Sequence, residues 1–479
     1  NLPSLRRNIV YQFLYELLIV FIPLFTIPYV SRVLGAENIG LFSYTYAVAN
    51  YFVLFANLGI KNYGSRTIAM VRNNKEELNR NFSEILSIHI IFSIIVIFVY
   101  LVLLFFFVED NLVIFLIQSI YVFAAVFDIN WFFFGIEKFK LTVGRNTLVK
   151  ILSVFLVLVF VKTQTDLWIY ALILALSVFV GQSVVWFALK QYVSWRRPSW
   201  ANMKQHIRPL FVLFLPILAL SLYKYMDKIM LGSISSNVQV GFYENAEKII
   251  NVPMSLIMAF GVVLMPRIAN MVTSKDKGEV FKLIDMSMEA VMLLAIAISF
   301  GLAGISFVLA PIFFGYEFEE CGILIMGLAV TVPFMAFANV IRTQYLIPYK
   351  EDKIFVVSLF LGAAVNLIVN IILIPYMAAR GAVIGTIFAE IIVCIYQSYF
   401  VRKKIFIKKY LLNTIPPILI GIVMFVFVFQ IGNVMNINIV TLILQLLVGM
   451  FIYAVGVFLL MLKSRTRLMV LLRKFVVRY

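Results

Sequence analysis

Ser83–Phe107 reads SEILSIHIIFSIIVIFVYLVLLFFF. Glu84 and His89 sit in its first two turns, and from Ile90 onward it carries no charge. The apolar core of a bilayer takes about 20 such residues in a helix. The two flanks of this stretch differ. Before it, Lys61–Arg80 holds five cations and reads as a basic, amphipathic surface helix; after it come Glu109 and Asp110. One membrane crossing with a basic end and an acidic end is the simplest account.

The same pattern runs through the chain. Fourteen stretches are long and apolar enough: 8–33, 41–60, 83–107, 112–135, 143–161, 166–189, 209–232, 241–266, 286–310, 320–341, 354–376, 379–400, 412–430 and 438–462. Of the 40 Lys and Arg residues, 33 fall in every second gap between them. Three (Arg32, Lys162, Arg380) fall at the opposite ends of the stretches, and four lysines lie deeper inside them. Positive charge collects on the cytoplasmic side of membrane proteins, so both termini are expected there. The expected fold is an all-α integral membrane protein of about 14 transmembrane helices, in two parallel-repeat lobes around a central cavity.

Composition agrees. With 63 % apolar and 13 % charged residues and a mean hydropathy of +1.01, a chain of 479 residues has more apolar surface than a soluble globule can cover. The net charge of +17 is spread over short loops, which suits anionic lipid and not nucleic acid. Cys321 and Cys394 are far apart and form no metal-ligand spacing, so neither a metal site nor a disulfide framework is expected. The first apolar run is too long for a signal core, so no cleaved leader is expected. Without a Gly-Lys-Ser/Thr phosphate loop, direct use of ATP is not expected.

The chain also repeats itself. Arg7, Gly40 and Arg66 have the same spacing as Arg208, Gly241 and Arg267, and both copies run in the same direction. This predicts an N-terminal lobe over 1–200, a C-terminal lobe over 205–400, and an added helix pair with a basic tail over 401–479. Parallel lobes around a path are a transporter plan.

Charges inside the apolar stretches are the candidate site. A charge at mid-bilayer costs about 2.5–3.5 kcal/mol on insertion scales, so such groups usually line a cavity. Lys224 lies about 24 Å beyond Arg208 at 1.5 Å per residue. Asp227 and Lys228 follow within a turn. Lys248, with Glu244 one turn earlier, enters the next stretch. Lys224 and Lys228 repel each other. Asp227 can relieve one and an anionic cargo the other; alternatively Asp227 pairs with Lys224 and Lys228 reaches the headgroups. Lys150 needs a partner or a watery cavity. Together with Arg32, these four lysines are the candidates for holding an anionic cargo, although Arg32 also suits an interface anchor. Glu16, Asp227, Glu244 and Glu390 are candidate lumen carboxylates that could carry H+ or Na+; no other cofactor is expected. Asp128, Asn130 and Trp131 either close an inner gate or form an interfacial cap with a Trp anchor. His89 reads as a satisfied interhelical histidine or as a ligand.

Three segments carry a resemblance. Ser31-Arg32-Val33-Leu34-Gly35-Ala36-Glu37-Asn38-Ile39-Gly40 looks like the first-loop signature of Wzx-type polysaccharide flippases. Met226-Asp227-Lys228-Ile229-Met230-Leu231-Gly232 and Val240-Gly241-Phe242-Tyr243-Glu244-Asn245-Ala246-Glu247-Lys248-Ile249 resemble the start of their second half. Asp128–Gly135 is similar to a third segment. These flippases belong to the multidrug/oligosaccharidyl-lipid/polysaccharide exporter superfamily. The resemblance implies alternating access in a bacterial cytoplasmic membrane. It also implies a cargo of undecaprenyl-pyrophosphate-linked oligosaccharide moved from the inner to the outer leaflet, for capsule or O-antigen-type polymers. Membrane lipids, a polymerase and glycosyltransferases of the same pathway are the implied partners. The rivals are a multidrug-type exporter, which would favour carboxylates over amines in its lumen, and a membrane polymerase or glycosyltransferase, which would want a sizeable loop. The expectation is a carrier, not an enzyme.

Overall fold

The computed structural model describes residues 2–273 and 277–463. Its described residues are helices joined by short turns. By contacts the chain divides into two compact units, Asn1–Gly232 and Ser233–Tyr479.

In the first unit, α1 (Leu2–Asn57) covers the first two expected spans, with a kink where a loop was expected. Gly35 makes the kink at φ 76°, a region open to glycine at little steric cost. The chain turns again at Leu58 (φ 39°) and Gly59 (φ 73°) into α2 (Ile60–Val71). The buried residues of α2 (Ile60, Gly64, Thr67, Ile68) recur at helical spacing, and Lys61 and Arg66 are exposed, as an amphipathic surface helix requires. Asn74 caps α3 (Lys75–Phe107) by accepting from the backbone N–H groups of Glu76 and Glu77. The stretch expected as one span over 112–135 is broken into α4 (Leu112–Val126) and α5 (Asn130–Gly135). The break lies at Asp128, whose Oδ1 accepts from the backbone N–H of Asn130 at 3.1 Å, a side-chain turn that competes with the helix. Then come α6 (Phe139–Phe160), α7 (Leu167–Leu189) and α8 (Trp200–Ile234).

The second unit holds α9 (Asn237–Thr273), α10 (Lys277–Phe314), α11 (Cys321–Ala329), α12 (Thr331–Ile341), α13 (Asp352–Met377), α14 (Ala379–Val401), α15 (Ile407–Val434) and α16 (Ile439–Lys463). A π-helical turn, Arg342–Leu346, extends α12.

Eleven helical stretches among the described residues are long and apolar enough to cross a membrane, and each of the fourteen apolar stretches of the sequence lies on helix. Large apolar side chains such as Phe98, Phe106, Phe427 and Phe451 are exposed on these helices, where lipid would cover them. The chain is a multi-pass membrane protein.

Ion pairs between helices respect the alternation. Arg72 meets Glu137 at 2.5 Å, Arg196 meets Glu76 at 2.9 Å and Lys409 meets Asp285 at 2.7 Å, all among segments expected on one side. Arg380 meets Glu320 at 2.8 Å, both expected on the other.

Contacts assign α8 to the first unit, whereas the repeat starts its second copy near residue 205. The reason is packing. A side-chain carbon on Gly59 would fall 2.9 Å from the Leu210 carbonyl oxygen, so α8 lies directly against the α1–α2 turn.

Candidate functional site

α8 gathers the central charges. Lys224 is exposed, while Asp227 (4 % exposed) and Lys228 (8 %) are buried one turn on. The Lys224 amine stands 5.3 Å from the centre of the Tyr225 ring and makes no ion pair or hydrogen bond among the described residues. Of the two arrangements open from the sequence, the one in which Asp227 pairs with Lys224 and Lys228 reaches the headgroups is not the one seen: Lys224 has no ion pair among the described residues and Lys228 is buried. A 3.6-residue period puts the two lysines on nearby faces, and only the first faces open space.

Tyrosines surround these charges. Tyr225 meets Tyr51 edge-on at 5.9 Å. Tyr46 lies within electrostatic range of Lys224 and Lys228, and Tyr51 within range of Asp227. Tyr46 stacks on Phe42 at 5.7 Å and meets Tyr121 edge-on at 5.1 Å, and Tyr170 closes on Phe42 at 4.9 Å. Tyr225 on α8 and Tyr46 on α1 thus stand near the amines, and Tyr121 on α4 and Tyr170 on α7 pack behind them against Tyr46 and Phe42. Sequence reasoning missed these rings because tyrosine is common in membrane helices; only the Tyr44-Thr45-Tyr46 run inside an expected span hinted at them.

The remaining candidates separate. Lys150 is half-buried on α6. Arg32 is exposed on α1, just before the Gly35 kink. In the second unit the Lys248 amine is paired with the Glu244 carboxylate at 3.1 Å. Glu390 is 7 % exposed on α14, within electrostatic range of Arg342. Arg342 was expected in a loop. It lies instead in the π-helical turn, donating to Asn339 Oδ1 at 2.6 Å with Phe355 5.4 Å away. The Glu16 side chain lies outside the described residues.

Asn130 is a hub. Its amide donates to Asp128 Oδ1 (2.7 Å) and to Gln182 Oε1 (2.9 Å), and its Oδ1 accepts from Arg145 (3.0 Å). Trp131 does not reach a surface as an interfacial anchor would. It is 2 % exposed and stacked on Phe82 at 5.6 Å in the core of the first unit. His89 is fully buried, and among the described residues neither ring nitrogen has a hydrogen-bond partner, which does not match a satisfied interhelical histidine.

One constellation was not anticipated. His206 on α8 lies 2.9 Å from Glu84 Oε2 on α3 and 2.6 Å from the Tyr63 hydroxyl on α2. Their rarity was the available signal, since the chain has two histidines. Among the described residues no three His, Cys, Asp or Glu side chains cluster as metal ligands.

A family model described as "Polysaccharide biosynthesis protein" matches residues 5–272, more than half of the chain. The chain belongs to that family. This matches the resemblance drawn from the three motifs to polysaccharide flippases of the exporter superfamily. A Shigella dysenteriae protein named "Putative O-antigen transporter" is 24 % identical over 408 residues, covering 82 % of this chain and 99 % of that protein. Among solved structures, the lipid II flippase MurJ in an inward closed conformation superposes with a TM-score of 0.72 at 16 % identity, covering 94 % of this chain and 97 % of that one. An inward-facing multidrug resistance transporter of the MATE family follows at 0.62 and 14 % identity, covering 82 % and 97 %. These two likenesses establish the fold.

Proposed function

We propose that this protein is a flippase for lipid-linked oligosaccharides. The cargo is an undecaprenyl-pyrophosphate-linked repeat unit, carried by alternating access from the inner to the outer leaflet of a bacterial cytoplasmic membrane for O-antigen or capsule-type polymers. It is a transporter and not an enzyme. The family match over residues 5–272 supports the lipid-linked polysaccharide class. The observation that carries the choice of an anionic cargo is Lys224, an exposed amine on a membrane helix one turn from a second lysine, with the Tyr225 ring beside it and Tyr46 within electrostatic range.

The physical problem is moving a diphosphate and a hydrophilic glycan through hydrocarbon. An amine on a membrane helix offsets part of the diphosphate charge, and tyrosine hydroxyls and ring faces suit the mixed polar and apolar surface of sugars. A pump for cationic drugs is the poorer fit, because the exposed charge here is positive. H+ or Na+ acting through Asp227, Glu390 or Glu16 is the proposed energy source.

The test is transport of a fluorescent pyrophosphate-linked glycolipid by the full chain in proteoliposomes, read by the loss of fluorophore protection from a membrane-impermeant quencher. Transport of this lipid, with none of a cationic dye, is the expected result. Dye transport without glycolipid transport overturns the reading.

A further inference from the structure

We propose that the start of α15 is a binding site for an anionic phospholipid of the inner leaflet, with Arg402 and Lys408 holding its phosphate and an exposed stripe of α15 covered by its acyl chain. The site goes beyond the flippase reading and does not depend on the cargo.

The turn between α14 and α15 carries Arg402, Lys403, Lys404, Lys408 and Lys409 and no acid. Charge alone gives a diffuse attraction to anionic headgroups. Here the charge is shaped. Arg402, Lys408 and Lys409 line one open cavity of about 510 Å³ together with Phe406, Leu412 and Asn413, and no carboxylate lines it among the described residues.

The three cations are not equivalent. The Lys409 amine meets the Asp285 carboxylate on α10 at 2.7 Å, and the Tyr410 hydroxyl donates to the same carboxylate at 2.5 Å. Those two contacts tie the base of α15 to α10. The Arg402 guanidinium lies over the Tyr399 ring at 3.8 Å, which steadies its planar fork and leaves the N–H edge able to donate. Lys408 is exposed. Among the described residues neither Arg402 nor Lys408 makes an ion pair or a side-chain hydrogen bond. A planar fork and a mobile amine on one cavity suit a phosphate diester, whose charge is spread over two oxygens. The positive end of the α15 dipole adds to the potential there.

The apolar surface beside these charges makes the ligand a lipid. Lys408 is followed at helical spacing by Leu412, Ile415, Leu419 and Ile422, and all of them are exposed. α15 is long and apolar enough to cross a membrane, so this stripe runs from the cavity into hydrocarbon. Leu412 and Asn413 also line an adjoining cleft between α10, α15 and α16, walled by apolar groups such as Met292, Leu293 and Leu460, with Glu289 its one carboxylate. Phe406 is exposed at the rim, where an aromatic ring suits the headgroup boundary. A soluble anion would use the cations and leave the stripe bare. A phospholipid satisfies both with one molecule. A zwitterionic headgroup gains less, because its own cation meets the basic turn.

The experiment maps lipid contacts of the full chain in phosphatidylcholine nanodiscs. They contain a small fraction of photoreactive phosphatidylglycerol with a diazirine on its acyl chain, and crosslinks are located by peptide mass spectrometry. A phosphatidylcholine with the same diazirine chain is the reference. We expect the phosphatidylglycerol probe to label residues 412–422 at least about tenfold more than the reference, because two cations act on its phosphate. In Arg402→Gln/Lys408→Gln the excess should fall below about twofold. It should persist in Lys61→Gln/Arg66→Gln, which removes as many exposed cations from α2. Should the first double variant fail to insert, Lys408→Gln alone should at least halve the excess, to below about fivefold. Inorganic pyrophosphate at constant ionic strength should not displace the probe. Equal labelling by the two headgroups overturns the proposal. So does an excess that survives loss of Arg402 and Lys408, or of Lys408 alone, one lost equally with Lys61 and Arg66, or one displaced by pyrophosphate. Glycolipid transport is measured separately in proteoliposomes: its absence would remove the flippase reading and leave the lipid site standing, and the reverse result would remove the lipid site alone.

Discussion

The two ends of α8 treat their polar groups in opposite ways. Near its start, His206 is buried with a partner on each ring nitrogen. Some five turns later, Lys224 is exposed, with the Tyr225 ring beside it and no hydrogen bond or ion pair among the described residues. A buried, satisfied polar group fixes geometry, because breaking it leaves a charge without compensation. An exposed amine on an otherwise apolar helix contributes little to folding and remains available to a ligand. On the proposed reading one helix holds a structural anchor and a recognition group, and mutations should separate them.

Removing the anchor should cause the largest loss. Glu84→Ala leaves the His206 ring without its carboxylate partner and, as a buried hydrogen bond to a charged group, should cost about 1.5–3 kcal/mol. Thermal unfolding of the purified chain in detergent should show it as a clearly lowered midpoint, whereas Lys224→Ala should leave the midpoint unchanged. A Gly59→Val substitution tests the same docking from the backbone side. It combines a strained φ with a contact of 2.9 Å to the Leu210 carbonyl, and should cost about 2 kcal/mol or more.

Asn130→Ala ranks next. It leaves Asp128, Gln182 and Arg145 each short of one hydrogen bond, worth about 1–3 kcal/mol together in a half-buried site. The smallest effect belongs to the Lys248–Glu244 pair, a partly exposed i,i+4 contact. Lys248→Ala should shift stability by less than about 0.5 kcal/mol. If it also leaves glycolipid transport unchanged, the binding role is confined to the first unit. A strong transport defect would return Lys248 to the site.

These contrasts also mark how far the sequence can be read. Apolar length and alternating basic gaps predict helices where they occur, because both are local properties of the chain. The kink at Gly35 and the break at Asp128 were hidden, since each depends on one residue's backbone or side chain interrupting an otherwise apolar run. Lys224 and Lys228 were singled out together, but which of them is buried depends on how α8 is rotated against its neighbours. Trp131 resembled an interface anchor because composition does not tell a core from a boundary. The Glu84–His206–Tyr63 chain spans more than 140 positions, and no local pattern joins its members.

The central claim is that amines of the first unit receive the phosphates of the cargo. It is tested most directly by glycolipid transport in the Lys150→Ala/Lys224→Ala double variant, reconstituted at the same density as the parent and with the same unfolding midpoint. The account predicts a transport rate at least about tenfold lower, equivalent to roughly 1.4 kcal/mol of lost interaction. A rate equal to that of the parent would contradict it.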